Sequence, residues 1–249
     1  MSARFDNAAQ LSLLEDVGGA REAWRVRPSV RARRLAVRVL PGGLVEIVVP
    51  HGTRPQTIQQ FVTHHQRWIE RKVAQYSPLE PAAADGLPER ICFAASAEDY
   101  AVRYVDAPGT IRLTIEDHTI RLSGERQRAV LMRHALQRFT MRHAHEVLGP
   151  WLARLSAASG LDFARIQIRR QRTRWGSCSR NGTISLNACL LFQPPAVVNY
   201  LLIHELAHTR HMNHARRFWA LVERFEPDWR ELDHALSRGW REVPAWVLR

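Results

Sequence analysis

Lysine is almost missing from this sequence. Lys72 is the only one in 249 residues, so arginine supplies nearly all of the positive charge. Cysteine is scarce as well. Cys92, Cys178 and Cys189 are odd in number and form no CxxC pair, which argues against a disulfide framework and against a thiolate-rich zinc site. No run approaches the roughly 18–20 apolar residues that a membrane span needs. The N-terminal stretch MSARFDNAAQLSLLEDVGGAREAW has no apolar core behind a basic start and does not read as a secretory signal. The expectation is a cytoplasmic protein with no membrane partner. Internal repeats and low-complexity tracts are also lacking.

What is present is ordinary in bulk. Hydrophobic residues make up 45% and charged residues 24%, the balance of a globular chain long enough to bury a real core. The charge is less ordinary. A net +12 with clusters at Arg25–Arg38 and Arg165–Arg174 fits a surface for weak, sequence-independent nucleic-acid binding. It fits equally an arginine-rich composition spread over solvated faces.

Composition divides the chain into three regions: a loosely attached tail over 1–24, a β-rich region with one helix over 25–125, and a helical region over 126–249. The tail holds one short helix around Leu11 to Val17. Arg33–Val39 and Leu44–Val49 flank Pro41-Gly42-Gly43 and read as a hairpin. Apolar residues at Ile58, Phe61, Val62, Trp68, Ile69 and Val73, largely at helical spacing, predict a helix over Pro55–Gln75. Strands are predicted at Ile91–Phe93, Tyr100–Val105, Thr110–Ile115 and Thr119–Leu122. A long helix is predicted over Arg126–Leu155, with an interruption at Gly149-Pro150. Further strands are Arg165–Arg172, Trp175–Ser179 and Thr183–Leu186, the last two around Asn181-Gly182. Pro194-Pro195 opens a helix to about Thr209. Helices over Arg216–Phe225 and Pro227–Ser237 close the chain. The fold class is α+β, a β-rich N-terminal half packed on a helical half.

The chemistry concentrates in His204-Glu205-Leu206-Ala207-His208. On a helix, His204 and His208 lie one turn apart on the same side. Both imidazoles can then reach one Zn2+ ion at about 2.0–2.1 Å. Glu205 stands where it can take a proton from a metal-bound water as general base and return it to a leaving amine. The apolar run Val197, Val198, Leu201, Leu202 and Ile203 suits a buried active-site helix. A bare HExxH also arises by chance, so a third ligand is the needed complement.

Candidates for that ligand are His211, His214, Glu223 and Glu226. His211 would lie about 10.5 Å further along a continuing helix than His204, too far for one ion to bridge with bonds near 2 Å. His214 comes just after Asn213, a residue that tolerates the left-handed conformation ending many helices, and a turn there folds His214 back. The spacing HELAH-x5-H equals that of metzincins, but His211 stands where those proteins have a glycine. Glu223 and Glu226 are the carboxylate alternatives on the next helix.

The stretch RTRWGSCSRNGTISLN (Arg172–Asn187), then Pro194-Pro195, then LLIHELAHTRHMNHARRFW (Leu201–Trp219) resembles the YgjP-like metallopeptidases, relatives of the SprT and WLM zinc peptidases. The basic hairpin near Arg31–Pro50 and the helix bearing Trp68-Ile69 extend the resemblance over most of residues 25–240. It implies a zincin-like unit of long helix, short antiparallel sheet and zinc helix. It also implies His204, His208 and His214 as zinc ligands and Glu205 as the catalytic glutamate.

The expected function is therefore zinc-dependent hydrolysis of peptide bonds in a peptide or protein substrate. Two other readings stand beside it: a basic nucleic-acid-associated protein with a structural zinc site, and a zinc hydrolase of non-peptide amides. Arg174, Trp175, Gly176 and Ser177 are candidates for a strand that pairs with extended substrate. The plainer account makes Trp175 core and Gly176 a bulge. Asp228, Asp233 and His234 are candidates for orienting a ligand imidazole, and an arginine, Tyr200 or a histidine for stabilising an oxyanion.

Overall fold

The computed structural model describes residues 24–77 and 86–248. The expected tail, with its short helix, lies outside them apart from Trp24. The chain is mixed α and β and divides into two compact units, Met1–Pro78 and Leu79–Arg249.

In the first unit, β1 (Trp24–Ser29), β2 (Ala36–Val39) and β3 (Val45–Pro50) form a sheet in the order β1-β3-β2, and α1 (Pro55–Tyr76) comes after it. The hairpin β2–β3 forms as expected, with Val39 opposite Val45. Gly42 and Gly43 take positive φ (84° and 76°) in its turn, a conformation that costs glycine little. β1 pairs parallel with β3 and is not among the expected strands. Its alternation of Trp24 and Val26 with Arg25 and Arg27 is nevertheless a half-buried strand pattern. Val26, Val39, Val45, Ile47 and Val49 close over Ile58, Val62 and Ile69 of α1 to make the core.

The second unit begins with β4 (Arg90–Phe93), β5 (Glu98–Val105), β6 (Arg112–Glu116) and β7 (Thr119–Ser123), in the order β4-β5-β7-β6. Composition grouped these strands with the N-terminal half. They cluster instead with the helical region, because Phe93 packs its ring on Phe139, His143 and Phe192 and Ala95 N–H donates to the Leu191 carbonyl at 3.0 Å. His143 also meets Glu98 Oε2 at 2.7 Å, a core pairing far apart in sequence.

The long helix α2 (Ala129–Ser159) runs through Pro150 without ending there. A proline inside a helix costs about 3 kcal/mol. Leu148 and Leu152, both fully buried, lie on one face across the proline, and their burial offsets that cost. Then β8 (Arg165–Arg169), β9 (Gly176–Cys178) and β10 (Thr183–Asn187) form a sheet in the order β8-β10-β9, leaving β9 at an edge. A 3-10 segment, Ala188–Phe192, leads to α3 (Pro195–Ala207), α4 (Arg216–Phe225), α5 (Trp229–Arg238) and a short α6 (Ala245–Leu248). No helix among the described residues is long and apolar enough to cross a membrane.

Candidate metal centre

Helix α3 is buried nearly all round. Val197, Val198, Tyr200, Leu201, Leu202, Ile203, Leu206 and Ala207 all have under 5% exposure, as a helix apolar on every side requires. Besides Asn199 and Tyr200, its polar side chains are His204 and Glu205 near its C-terminal end, followed by His208 at the cap. The helix stops at Ala207, and tighter bonds close its last turn: Thr209 N–H to the Leu206 carbonyl and Arg210 N–H to the Ala207 carbonyl. The chain then reverses before α4 and brings His214 back.

One nitrogen from each of His204, His208 and His214 lies within 4.8 Å of the others. Nε2 of His204 and Nε2 of His214 are 3.2 Å apart. Two ligands bonded to one tetrahedral ion at about 2.0–2.1 Å would sit about 3.3 Å from each other, so this spacing fits a shared ion. The fit to a metal is good on chemistry as well. Burial first, then the neighbouring His208 and His214, push the pKa of His204 down to about 3. Burial also lowers that of His208. Neutral imidazoles keep the lone pairs a cation needs.

Each of the three histidines is oriented by a different device. His208 Nδ1 lies 3.0 Å from the His211 carbonyl, which fixes Nδ1 as the protonated nitrogen and frees Nε2. Tyr200 donates its hydroxyl to Asp233 at 2.8 Å, and its oxygen stands 3.3 Å from His204 Nδ1. That oxygen can only accept from the imidazole, so Nε2 again faces the centre. His214 is exposed on a loop, yet its ring lies against Trp219 at 24°, and Trp219 stacks on Trp229 at 4.0 Å under the Arg230 guanidinium. Phe218, fully buried, touches all three histidine rings.

The remaining candidates sit elsewhere. His211 contributes its backbone carbonyl and is outside the ligand cluster. Glu223 pairs with Arg230 at 3.1 Å, and Glu226 accepts from Asn199. Asp233 reaches a ligand, through Tyr200, whereas Asp228 and His234 do not. Tyr200 is spent in that relay and is not free to meet an oxyanion. The left-handed turn expected at Asn213 is not used. Positive φ among the described non-glycine residues occurs at Ala97, Asp117 and His118. The reversal comes from the tightened turn at 207–211 instead.

Glu205 is 4% exposed, and its Oε2 has no hydrogen-bond partner among the described residues. Burial pushes its pKa up to about 8, while Arg174 pulls the other way. Its neighbour is the edge strand β9. A Cβ built on Gly176 would stand 2.5 Å from Glu205 Oε1 and 2.9 Å from Cγ, so glycine lets the carboxylate lie against the strand. Asn187 anchors the loop before β9. It is wholly buried, and its side-chain amide donates to the Gln171 and Arg174 carbonyls at 2.7 and 2.9 Å. Trp175 is core, stacked on Trp240 at 4.0 Å. Cys189 is a fully buried thiol, as expected of a small hydrophobe. Cys178 is half-buried, its pKa raised to about 11 by burial and by Glu205, so it remains a thiol.

Gly176→Ala is expected to fold, because the carboxylate end of Glu205 can swing aside, and, on the expectation that Glu205 is the general base, to lose peptide hydrolysis by about 100-fold, the usual cost of moving a reacting group by roughly 1 Å. Thermal melts with peptide kinetics check this. Wild-type turnover in a folded variant would show that the contact does not set the position of Glu205.

A family model described as YgjP-like, metallopeptidase domain matches residues 33–239 of the chain. No curated protein matches it.

Proposed function

The chain belongs to the YgjP-like metallopeptidase family, and on that premise we propose that it is a zinc-dependent peptidase, with His204, His208 and His214 as ligands and Glu205 as general base. The observation that carries this reading is one juxtaposition. Three imidazole nitrogens converge within 4.8 Å beside a buried carboxylate oxygen without a partner among the described residues. A set of three nitrogen ligands suits zinc and leaves a fourth position open, whereas structural zinc is held by four protein ligands. That difference favours catalysis over the structural-zinc alternative.

Zinc, when bound, acidifies a water and polarises a carbonyl. The chain's own residues supply the rest. Glu205 Oε2 takes the proton from the attacking water and gives it back to the departing amine nitrogen. In the metal-free protein burial holds the Glu205 pKa up near 8; a bound cation beside it would favour the carboxylate that accepts the proton. Tyr200 with Asp233, and the His211 carbonyl, keep the ligand imidazoles in the tautomer that presents Nε2. Strand β9 offers its free edge to an extended substrate. Gly176 and Ser177 supply backbone groups there, in the manner of strand addition, and Arg174 brings a positive charge close to Glu205.

Metal analysis together with hydrolysis of a mixed peptide library tests the reading. One zinc per chain is expected, with activity lost on dialysis against a chelator and restored by one equivalent of zinc. Undiminished cleavage by fully metal-free protein would end it. Zinc-dependent cleavage of simple amides, with every peptide left intact, would select the non-peptide hydrolase.

A further inference from the structure

The net charge is not spread evenly. Residues 24–77 carry nine arginines and one lysine against only Glu46 and Glu70, a net +8 of the chain's +12. Among the described residues, Arg27 is the one arginine of this group that pairs with a carboxylate, Glu46 at 3.3 Å. With Asp6, Glu15, Asp16 and Glu22 against Arg4 and Arg21 added, the whole unit Met1–Pro78 is net +6, half of the chain's +12 in under a third of its length.

Helix α1 shows where part of this charge is organised. Ile58, Val62 and Ile69 face the sheet and are buried. His64, Arg67, Trp68 and Arg71 succeed one another at i, i+3, i+4 and i+7 and so share one face, and all four are exposed. Glu70 points to the other flank, where Gln66 donates to it at 3.0 Å. Trp68 is 37% exposed, one turn along from His64 and three residues before Arg71 on the same side of the helix.

We propose that this face of α1 binds single-stranded nucleic acid. The arginines meet phosphates, for which their planar fork is suited, and Trp68 gives an unpaired base a ring to stack on. A base in a duplex is already stacked, so the single strand is the occupant that uses the tryptophan as well as the charge. A lipid surface fits less well. The apolar side of α1 is covered by the sheet, and Trp68 is the sole large hydrophobic residue of the stripe left to insert.

The test is fluorescence anisotropy of a labelled 20-nucleotide single strand titrated with the full chain, with the duplex of the same sequence and anionic vesicles as competitors. Binding is expected at 50 mM salt and should weaken about tenfold or more at 200 mM, since phosphate contacts release counterions. Trp68→Ala should weaken it about tenfold with little change in salt slope, and Trp68→Phe should keep most of it. Arg67→Glu with Arg71→Glu should weaken it further and flatten the slope. These positions are exposed, and circular dichroism confirms the fold of each variant. Adding a chelator should change nothing, which separates this surface from the metal centre. The proposal is overturned by an absence of binding at 50 mM salt or by full affinity in the stripe variants. Binding that chelator abolishes, or vesicles that compete better than the single strand, would equally overturn it.

Discussion

Replacing Glu205 by glutamine is expected to leave the metal in place and to remove nearly all peptide hydrolysis. The side chain lies between His204 and His208 in sequence but outside the histidine cluster, so the cluster does not need it. Glutamine is of equal size and keeps the contact with β9, but it cannot take a proton. A positioned general base contributes about 10²–10⁴-fold, and a loss at or beyond the upper end is expected. Metal content by elemental analysis, read beside peptide turnover, separates a lost base from a lost metal. Cleavage near the wild-type rate would remove Glu205 from the mechanism.

The same substitution should alter the pH dependence of the metal-free protein. The folded-state pKa of Glu205 is raised by burial from an ordinary 4.5 to about 8. The stability tied to its neutral form is therefore complete below pH 4.5 and is lost as pH climbs through 8, since the unfolded chain releases the proton first. Glu205→Gln cannot ionise. In the presence of chelator, its melting temperature relative to wild type should rise between about pH 5 and pH 8, by an amount equivalent to at most roughly 4 kcal/mol. A constant difference across that range would mean that Glu205 is already ionised in the folded metal-free protein.

His214→Ala is the second substitution with a large expected effect, and His211→Ala is its control. Loss of an outer hydrogen-bond partner of a ligand costs about 10–100-fold in metal affinity. Loss of the ligand itself should cost on the order of 1,000-fold, with hydrolysis falling in step at limiting zinc. His211 acts through its backbone carbonyl, which accepts from His208 Nδ1 at 3.0 Å, and alanine keeps a carbonyl there. Affinity in His211→Ala should stay within about threefold of wild type, because nothing that orients a ligand is removed. Competition against a chromophoric chelator measures both. The reverse pattern would mean that the chain turns differently after Ala207 when metal is bound.

The elements themselves could be read locally. Helix α4 spans the predicted residues Arg216–Phe225 without change, and the hairpin formed where Pro41-Gly42-Gly43 placed its turn. These depend on apolar period and turn chemistry over a few residues, which a sequence displays directly. The failures are at longer range. The parallel pairing of β1 with β3 and the grouping of β4–β7 with the second unit rest on contacts between distant segments. In the latter case these include Phe93 against Phe139 and Phe192, which no local pattern encodes.

At the centre, the sequence by itself determined that His204 and His208 share one side of a helix with Glu205 beside them, because helical geometry alone sets that relation. It also determined that His211 could not join them if the helix ran on. Tertiary structure decided the rest. It turned the chain at 207–211 with tightened backbone bonds, not at Asn213. It held His214 against Trp219 and Trp229, and it linked Asp233 to His204 through Tyr200. It also laid β9 against Glu205 at a glycine. All but the turn join side chains on different elements, and their approach depends on how α3, α4, α5 and β9 pack. Packing is set by the whole core and not by the spacing of any one motif.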